Sequence, residues 1–300
     1  MHRALETPPR LVRRIKAAFD PTIERLEARA RIVETPVSGG SIVWRSWGEG
    51  PPILLLHGGV GSWLHWIANI EDVARDHRVV AVDLPGLGDS KEVPKPHTAD
   101  AIAGFLRDDI DTVFPEATPI AIAGFSLGGA VSLPLAAMLG PRAGRLVLCG
   151  PSGMGAMWQN TPARPVRRRP DMTEAELLAR AREALALTLI ADPARIDDRA
   201  AAVQRTLLDQ DRRLRGDVIS YTEVVLDTLP KLHASTRAAM IIGERDVYVH
   251  PDARTVLDVV ARRFPRVATC LVPGAGHWVQ YEGASIVNAI LRDDAQGRAA

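Results

Sequence analysis

A glycine-flanked serine between two apolar segments places the strongest constraint on how this chain folds. Residues 124–128 read Gly-Phe-Ser-Leu-Gly. The preceding run, 120–123, is typical of a buried strand, and the following run, 130–138, is typical of a helix. A sharp strand-to-helix turn that exposes a serine needs glycine on both sides, because a Cβ there would collide with neighbouring backbone. This arrangement, a nucleophile elbow, predicts that Ser126 is a catalytic nucleophile.

The alternation of apolar runs with helical segments predicts the fold class. Strand-like runs occur at 53–56, 79–82, 120–124, 145–149, 238–242 and 267–272. Strands that are apolar throughout are typical of a parallel sheet covered on both faces by helices. Two earlier segments, 31–37 and 41–47, are joined by Ser-Gly-Gly, which indicates a β-hairpin. We therefore expect an α/β protein with a mostly parallel central sheet flanked by helices.

The alternation stops over residues 151–232, where we expect an inserted helical cap. The segment shows no strand pattern, whereas Thr173-x-x-Glu176 is a capping box ahead of several leucines. Strand patterns then return. The predicted organisation is an N-terminal amphipathic helical extension over 1–30, a first core segment over 31–150, the cap over 151–232, and a second core segment over 233–300.

Charge and hydropathy favour a small-molecule substrate. The chain has 37 Lys and Arg residues against 36 Asp and Glu, so no overall charge attracts nucleic acid. Its apolar runs fall far short of the roughly 20 residues that span a bilayer, and the N-terminal segment lacks the apolar stretch of a secretory signal. We expect a cytoplasmic protein. Its basic segment 1–31 is expected to dock on its own domain or on a second subunit rather than on a membrane.

A serine hydroxyl must transfer its proton to an adjacent base, and one histidine is well placed for this. His277 lies in a glycine-rich loop directly after the last strand, and such loops at the carboxyl ends of parallel strands carry function. The loop after the preceding strand contains Glu244 and Asp246. Asp246 lies further out and is the better candidate to orient His277, with Glu244 as the alternative. The predicted triad is therefore Ser126, Asp246 and His277.

Two backbone N–H groups are also needed to bind the oxyanion of a tetrahedral intermediate. Leu127 follows the nucleophile at a helix N-terminus, where the helix dipole favours negative charge. The second donor is expected in the segment 57–60, His-Gly-Gly-Val. Gly59 is the candidate because it has no side chain to obstruct a substrate, with Val60 as its neighbour. His57 is expected to be structural.

Aromatic residues near the predicted chemistry favour a largely apolar acyl or aromatic substrate. Four residues are predicted to bind it: Trp63, Phe125, Trp158 and Trp278. Core packing is the more common role for any single aromatic residue, and it stays open for each of the four. The arginine run at 164–169 is expected to be a solvated loop, with bidentate binding of a substrate carboxylate as the alternative. The mechanism requires no metal or organic cofactor.

Residues 41–292 resemble the α/β-hydrolase superfamily. Five segments occur in the order of that family: His57-Gly-Gly59, Asp83-Leu-Pro-Gly-Leu-Gly-Asp-Ser90, Gly124-Phe-Ser-Leu-Gly-Gly129, Gly243-Glu-Arg-Asp246 and Gly274-Ala-Gly-His277. The resemblance implies a capped serine hydrolase with the triad named above. The turn 83–90 is a structural fingerprint in such proteins, so it receives no catalytic role.

Two branches of the superfamily are similar to this chain. The segment 276–282, Gly-His-Trp-Val-Gln-Tyr-Glu, is similar to carbon–carbon bond hydrolases that cleave products of aromatic ring opening. Those enzymes tend to carry Asn before the serine, where this chain has Phe125, and Gly-Pro-Gly where it has Val-Gly-Ser. The esterase and cofactor-free haloperoxidase branch matches Phe125. We expect hydrolysis of a small ester, with carbon–carbon bond hydrolysis of a ring-cleavage diketone and ligand binding without catalysis as alternatives.

Overall fold

An eight-stranded sheet forms the centre of the structure, a computed structural model that describes residues 20–116, 118–158, 167–209 and 223–293. Its strand order is β1-β2-β4-β3-β5-β6-β7-β8. The strands are Arg31–Val37 (β1), Gly40–Trp47 (β2), Pro52–Leu56 (β3), Arg78–Asp83 (β4), Ile120–Phe125 (β5), Ala143–Cys149 (β6), Arg237–Gly243 (β7) and Val267–Val272 (β8). β1 and β2 form an antiparallel hairpin, and β2 also pairs antiparallel with β4. All other pairs are parallel, so the predicted fold class is confirmed.

Helices bury both faces of this sheet. They are Pro21–Arg29 (α1), Ile70–Val73 (α2), Ala99–Val113 (α3), Leu127–Leu139 (α4), Glu174–Thr188 (α5), Asp198–Asp209 (α6), Val224–Thr228 (α7), Ala253–Arg263 (α8), Val279–Glu282 (α9) and Ala284–Arg292 (α10). Successive residues of a strand point to opposite faces. Leu54 and Leu56 accordingly pack in one core with α3, α4 and α8, whereas Ile53 and Leu55 pack in the other with α1, α2 and α10. Two cores explain why the strands are apolar throughout.

The connection between β6 and β7 is helical in the part of it that the structure describes. It contains α5, α6 and α7, and the described residues add short 3-10 turns but no strand. The capping box that starts α5 is present: Thr173 Oγ1 accepts the Glu176 N–H at 3.3 Å, and Glu176 Oε2 accepts the Thr173 N–H at 2.7 Å. Among the described helices, none has both the length and the apolar character that crossing a bilayer would take.

The helical extension before the sheet contacts both the core and the helical connection. Ile23 and Leu26 of α1 are 1% exposed and pack in the core that contains Trp63. Asp20 caps α1 and accepts a hydrogen bond from Arg199 of α6 at 2.6 Å. Residues 1–19 of the extension predicted over 1–30 lie outside the described residues.

The arginine run of the predicted cap is only partly within the described residues, because 164–166 lie outside them. Arg169 is half-exposed and pairs with two exposed acids, Asp171 at 3.4 Å and Glu176 at 3.3 Å. Ion pairs of this kind contribute little to stability. They also occupy the Arg169 guanidinium, as expected for a solvated loop.

Candidate active site

The predicted nucleophile elbow is formed by the junction of β5 and α4. Ser126 has a φ of 51° and a ψ of −114°, a left-handed conformation that is rare for a residue with a side chain. A Cβ on Gly124 would lie 2.4 Å from the Gly128 carbonyl oxygen, and one on Gly128 would lie 2.4 Å from the Leu56 carbonyl oxygen. Both glycines are therefore needed where the serine turns out of the sheet, and backbone strain of this kind is concentrated at functional sites.

Asp246 and His277 form a buried hydrogen-bonded pair at the ends of β7 and β8. His277 Nδ1 lies 2.8 Å from Asp246 Oδ2, and the two residues are 3% and 6% exposed. Because a carboxylate only accepts hydrogen bonds, Nδ1 carries the proton, and Nε2 of the neutral ring is free to act as a base. Asp246 Oδ1 accepts the Tyr248 N–H at 3.0 Å, which fixes the carboxylate.

The alternative acid has a different partner. Glu244 Oε2 accepts the Gly274 N–H at 2.9 Å at an exposed position. Its carboxylate ties together the loops that follow β7 and β8, at the protein surface. Of the two acids in this loop, only Asp246 contacts His277 in the structure.

The ends of β5, β6, β7 and β8 bring these groups together. The Phe125 ring, one residue before Ser126, lies 4.9 Å from the His277 ring. A Cβ on Gly150, directly after β6, would lie 3.1 Å from Asp246 Oδ2 and 3.2 Å from His277 Nδ1. Ser126 Oγ makes no hydrogen bond to another described residue. In enzymes without substrate, catalytic hydrogen bonds are often long and shorten when the substrate binds.

The two predicted oxyanion donors lie next to one another beside the nucleophile. A Cβ on Gly59 would lie 4.0 Å from Leu127 Cβ, and one on Gly58 would lie 3.2 Å from Ser126 Cβ. Within the described part of the chain, neither the Gly59 nor the Leu127 N–H donates to a protein acceptor. Val60 has a φ of 54°, so this loop also carries a strained β-branched residue.

His57 connects the loop after β3 to the loop after β4. Its Nε2 accepts the Leu84 N–H at 2.9 Å, so its Nδ1 carries the proton and donates to the Gly58 carbonyl oxygen at 2.7 Å. The ring is fully buried, and this burial lowers its pKa. Both nitrogens of His57 are used within the fold, which agrees with the structural role expected for it.

Two partly exposed aromatic residues lie against His277. Tyr248 and Trp158 have ring centroids 4.5 Å and 5.3 Å from the imidazole, and their own rings stack 5.2 Å apart at 7°. Trp158 is among the predicted substrate-binding residues, whereas sequence reasoning missed Tyr248. The sequence signal that could have identified Tyr248 is its position two residues after Asp246. Phe125, also among the predicted substrate-binding residues, packs against His277 and is 1% exposed, so the expectation of substrate contact is corrected for it.

The other two predicted substrate-binding residues belong to the core. Trp63 is 1% exposed and packs 5.5 Å from the Trp47 ring, with the Arg45 guanidinium 5.7 Å from its ring. Trp278 is 0% exposed, stacks 4.3 Å from Tyr281, and donates from Nε1 to a backbone carbonyl. The expectation of substrate contact is therefore corrected for both, because neither indole retains a surface on which a substrate could bind.

The turn 83–90 is occupied by a buried ion cluster. Arg45 pairs with Glu27 and Asp83, each at 2.9 Å, and also with Asp89. Burial by itself would lower the pKa of Arg45, but the three carboxylates outweigh it and raise that pKa. Burial and the Asp83 charge raise the pKa of Asp89 to about 6. Asp83 also accepts the Trp63 N–H at 2.9 Å. These contacts give the side chains of Asp83 and Asp89 partners within the fold.

Residues 53–289 match the model of a protein family described as the alpha/beta hydrolase family. The chain belongs to the alpha/beta hydrolase family. The predictions of the superfamily and of a hydrolase enzyme are confirmed by this match. Within the match lie Ser126, Asp246 and His277, whose geometry is described above.

Two curated proteins with different names and one solved structure are similar to this alpha/beta hydrolase, and the solved structure shows the likeness of the fold. A dihydrolipoyllysine-residue acetyltransferase component of an acetoin cleaving system from Pseudomonas putida is 26% identical over 90% of this chain and 68% of that protein. A 2-hydroxy-6-oxo-6-phenylhexa-2,4-dienoate hydrolase from Burkholderia cepacia is 27% identical over 82% of this chain and 88% of that protein. This chain also matches the crystal structure of carboxylesterase CesB (YbfK) from Bacillus subtilis, with a TM-score of 0.72 and 19% sequence identity. The match covers 93% of this chain and 96% of the chain in that structure.

Proposed function

We propose that this hydrolase is a serine esterase that cleaves a small, largely apolar ester. The observation that carries the proposal is the buried 2.8 Å hydrogen bond from His277 Nδ1 to Asp246, next to a serine held on a strained elbow. The bond leaves Nε2 unprotonated and holds the imidazole in place. An oriented neutral imidazole is the base that a serine hydroxyl requires.

The reaction proceeds in two steps through an acyl-enzyme. Ser126 Oγ attacks the ester carbonyl carbon while His277 Nε2 takes its proton, and Asp246 stabilises the imidazolium that forms. The tetrahedral intermediate collapses, and the leaving alkoxide takes the proton back from His277 as an alcohol. Water then attacks the acyl group, again with His277 as base, and releases the carboxylic acid and free Ser126.

The oxyanion of both intermediates is bound by the N–H groups of Gly59 and Leu127. Support for this comes from their position beside the nucleophile and from the lack of a protein acceptor for either N–H among the described residues. The N-terminus of α4 adds the positive end of a helix dipole at Leu127. Donors fixed in advance stabilise developing charge without reorganisation, which makes them a large contributor to catalysis.

An apolar substrate is supported by the residues around His277. Trp158 and Tyr248 lie against the imidazole, and Val60 and Val247, next to Gly59 and Asp246 in the chain, are each 38% exposed. These groups offer apolar surface beside the proposed chemistry. Apolar surface binds ligands mainly through the area removed from water.

An ester is preferred over a ring-cleavage diketone because of Phe125. Its ring is packed between two imidazoles, 5.2 Å from His65 and 4.9 Å from His277. The carbon–carbon bond hydrolases that this chain resembles tend to carry Asn at the position before the nucleophile, and a phenyl ring there cannot make the hydrogen bonds of a carboxamide. The Burkholderia cepacia relative is named as a dienoate hydrolase. A dienoate of that type is therefore the substrate to compare with esters in the test.

The experiment combines labelling by a fluorophosphonate probe with turnover of p-nitrophenyl esters. The wild-type protein should be labelled at Ser126 and hydrolyse short esters, whereas Ser126→Ala should do neither and His277→Ala should be labelled far more slowly. Ser152→Ala is the matched control, because Ser152 Oγ is buried and has no hydrogen-bond partner among the described residues. It should behave as wild type.

Three outcomes would change the proposal. Full ester turnover by a folded Ser126→Ala protein would end the serine mechanism. A folded wild-type protein that is neither labelled nor active, but binds a ligand, would favour the non-catalytic alternative. Faster turnover of a ring-cleavage diketone than of any ester would favour carbon–carbon bond hydrolysis. The turnover of the diketone is measured as the loss of its chromophore.

A further inference from the structure

His65 is a buried imidazole for which the mechanism above has no role. It lies in a 3-10 turn, Trp63–Trp66, and is only 3% exposed. Its Nδ1 accepts the N–H of Gly58, the residue before the proposed oxyanion donor, at 3.2 Å. Its ring also meets the ring of Phe125 edge to face, at 5.2 Å and 87°. One side chain therefore contacts the neighbours of both the oxyanion donor and the nucleophile.

The same residue contacts the segment that carries the catalytic base. The His65 ring lies 5.6 Å from the ring of Trp278, the residue after His277. Its backbone carbonyl accepts Trp278 Nε1–H at 2.8 Å and Gln280 Nε2–H at 3.3 Å. The β3 loop, the elbow and the His277 loop come from distant parts of the chain, and His65 touches all three.

We propose that His65 is a positioning residue that holds the loop 57–61 in place relative to Ser126 and His277. The inference rests on the proposed function, because it assigns to His65 the placement of the Gly59 N–H at the oxyanion. Gly58 has little room to move: a Cβ there would lie 2.9 Å from the Phe125 ring and 3.2 Å from Ser126 Cβ. Its N–H bond to His65 fixes the direction in which the backbone continues to Gly59.

The loop is fitted closely around the imidazole. A Cβ on Gly61 would lie 2.4 Å from two atoms of the His65 ring. The loop therefore packs against the Nδ1 edge of the ring at two positions, through the hydrogen bond at Gly58 and through close packing at Gly61. We call the contacts of His65 with Gly58 and Gly61 the clamp. Misplacing a catalytic group by about 1 Å can lower the rate on the order of 100-fold, so loss of the clamp should lower turnover.

Acceptance of the Gly58 N–H requires a His65 that is neutral at Nδ1. Burial, followed by the nearby His57 and His277 rings, lowers the pKa of His65 well below its ordinary value. A protonated ring would place an N–H group against the Gly58 N–H. The environment of His65 thus maintains the protonation state that the clamp uses.

Two substitutions separate the hydrogen bond of His65 from its bulk. His65→Asn places a carboxamide oxygen near the position of Nδ1 and keeps an acceptor for the Gly58 N–H. His65→Leu fills much of the space and offers no acceptor. His97→Leu is the matched control, because His97 is also buried and its Nε2–H donates to a backbone carbonyl, that of Val93 at 2.8 Å.

The kinetic readout is the separation of kcat from KM on p-nitrophenyl acetate. His65→Leu should lower kcat by about 10- to 100-fold and leave KM nearly unchanged, since the lost interaction acts on the oxyanion of the transition state. His65→Asn should recover most of kcat, and His97→Leu should match wild type. A wild-type kcat in His65→Leu, or an equal loss of kcat in Asn and Leu variants, would overturn the proposal.

A second readout needs no substrate. Hydrogen exchange of the Gly58 amide, followed by NMR, should be slow in wild type and in His65→Asn and faster in His65→Leu. If His65→Leu does not fold, His65→Gln replaces it, because its longer side chain carries the acceptor away from the Nδ1 position. Equal protection of Gly58 in wild type and in the variant without a correctly placed acceptor would refute the clamp. A wild type inert to esters would refute the proposed function alone.

Discussion

Two buried groups of charged or ionisable residues lie near the carboxyl edge of the sheet, and they differ in what they leave unused. The first is the Asp246–His277 pair. The second is the Arg45 cluster, formed by Arg45, Glu27, Asp83 and Asp89. In the pair, the hydrogen bond to Asp246 uses one ring nitrogen and leaves Nε2 for a substrate. In the cluster, all three carboxylates are bonded to one guanidinium. Burial and charge therefore do not by themselves identify a catalytic group.

The Arg45 cluster connects elements that the chain places far apart. Arg45 lies on β2, Glu27 on α1, Asp83 at the end of β4, and Asp89 in the turn that follows. Asp83 Oδ2 also accepts the Asp89 N–H at 3.0 Å, which closes the turn. The cluster therefore fastens the helical extension and the turn to the sheet. We expect the cluster to contribute to stability and the pair to contribute to the proposed reaction.

The largest expected effect comes from breaking the pair without emptying its space. Asp246→Asn should lower kcat about 10,000-fold, as such a change does in serine proteases, because an amide favours the wrong tautomer of the histidine. The same substitution should lower the free energy of unfolding by about 1–3 kcal/mol, because it disturbs a buried hydrogen bond. Ester kinetics and urea denaturation measure the two quantities. Glu244→Gln, in the same loop, should keep wild-type kcat; an equal loss there would remove the distinction between the two acids.

The next effect concerns the cluster and appears in stability. Arg45→Met should lower the free energy of unfolding by about 3–5 kcal/mol, because it leaves buried carboxylates without a cation. The kcat of the folded fraction should remain within a few-fold of wild type. Arg25→Met is the control: Arg25 pairs with Glu71 at 2.9 Å but is 45% exposed, so its loss should cost less than about 1 kcal/mol. Equal losses in urea denaturation would contradict the structural role of the cluster.

Sequence reasoning could find the pair and the elbow because both depend on local signals. The Gly-x-Ser-x-Gly spacing lies within five residues, and Asp246 and His277 each follow a strand whose carboxyl end is recognisable. The collision that requires Gly128, with the Leu56 carbonyl oxygen, is visible only in the structure. The direction of a side chain has no such signal. Trp63 and Trp278 lie near the site in sequence, yet their indoles are buried in the core.

The same limit applies to residues that the sequence did not single out. The contacts of His65 come from three separate segments, so no spacing or motif within one segment indicates them. Tyr248 contacts His277 because of the way its loop folds back on Asp246. Contacts of this kind depend on tertiary packing, which composition and periodicity do not encode.

A smaller effect appears in the pH dependence of the cluster. Burial and the Asp83 charge raise the pKa of Asp89 from 3.8 to about 6. Between these values the folded state holds a proton that the unfolded state has lost, so the contribution of Asp89 to stability is present below about pH 4 and is lost as pH rises through 6. Over this window it amounts to at most about 3 kcal/mol.

Asp89→Asn tests this contribution because it cannot titrate. The difference in unfolding free energy between wild type and Asp89→Asn should shift against wild type as pH rises from 4 to 6. Carboxyl groups outside the Arg45 cluster titrate alike in both proteins, so their titration cancels in the difference. Asp258→Asn, at an exposed position of α8, should give a difference that is constant over this range. A constant difference for Asp89→Asn as well would show that its carboxyl group titrates normally.

The smallest expected effect distinguishes aromatic residues that bind the substrate from those that only pack in the core. Trp158→Phe should raise KM for aromatic esters a few-fold, because about 1 kcal/mol of aromatic contact is lost beside His277. Trp63→Phe makes the same chemical change at a buried position, so it should lower stability by about 1 kcal/mol and leave KM unchanged. Equal KM values for Trp158→Phe and wild type would show that Trp158 does not bind the substrate and has a packing role, as Trp63 does. A raised KM in Trp63→Phe would mean that packing around the buried Trp63 side chain affects substrate binding. The distinction between a stabilising region and a catalytic region would then not hold for Trp63.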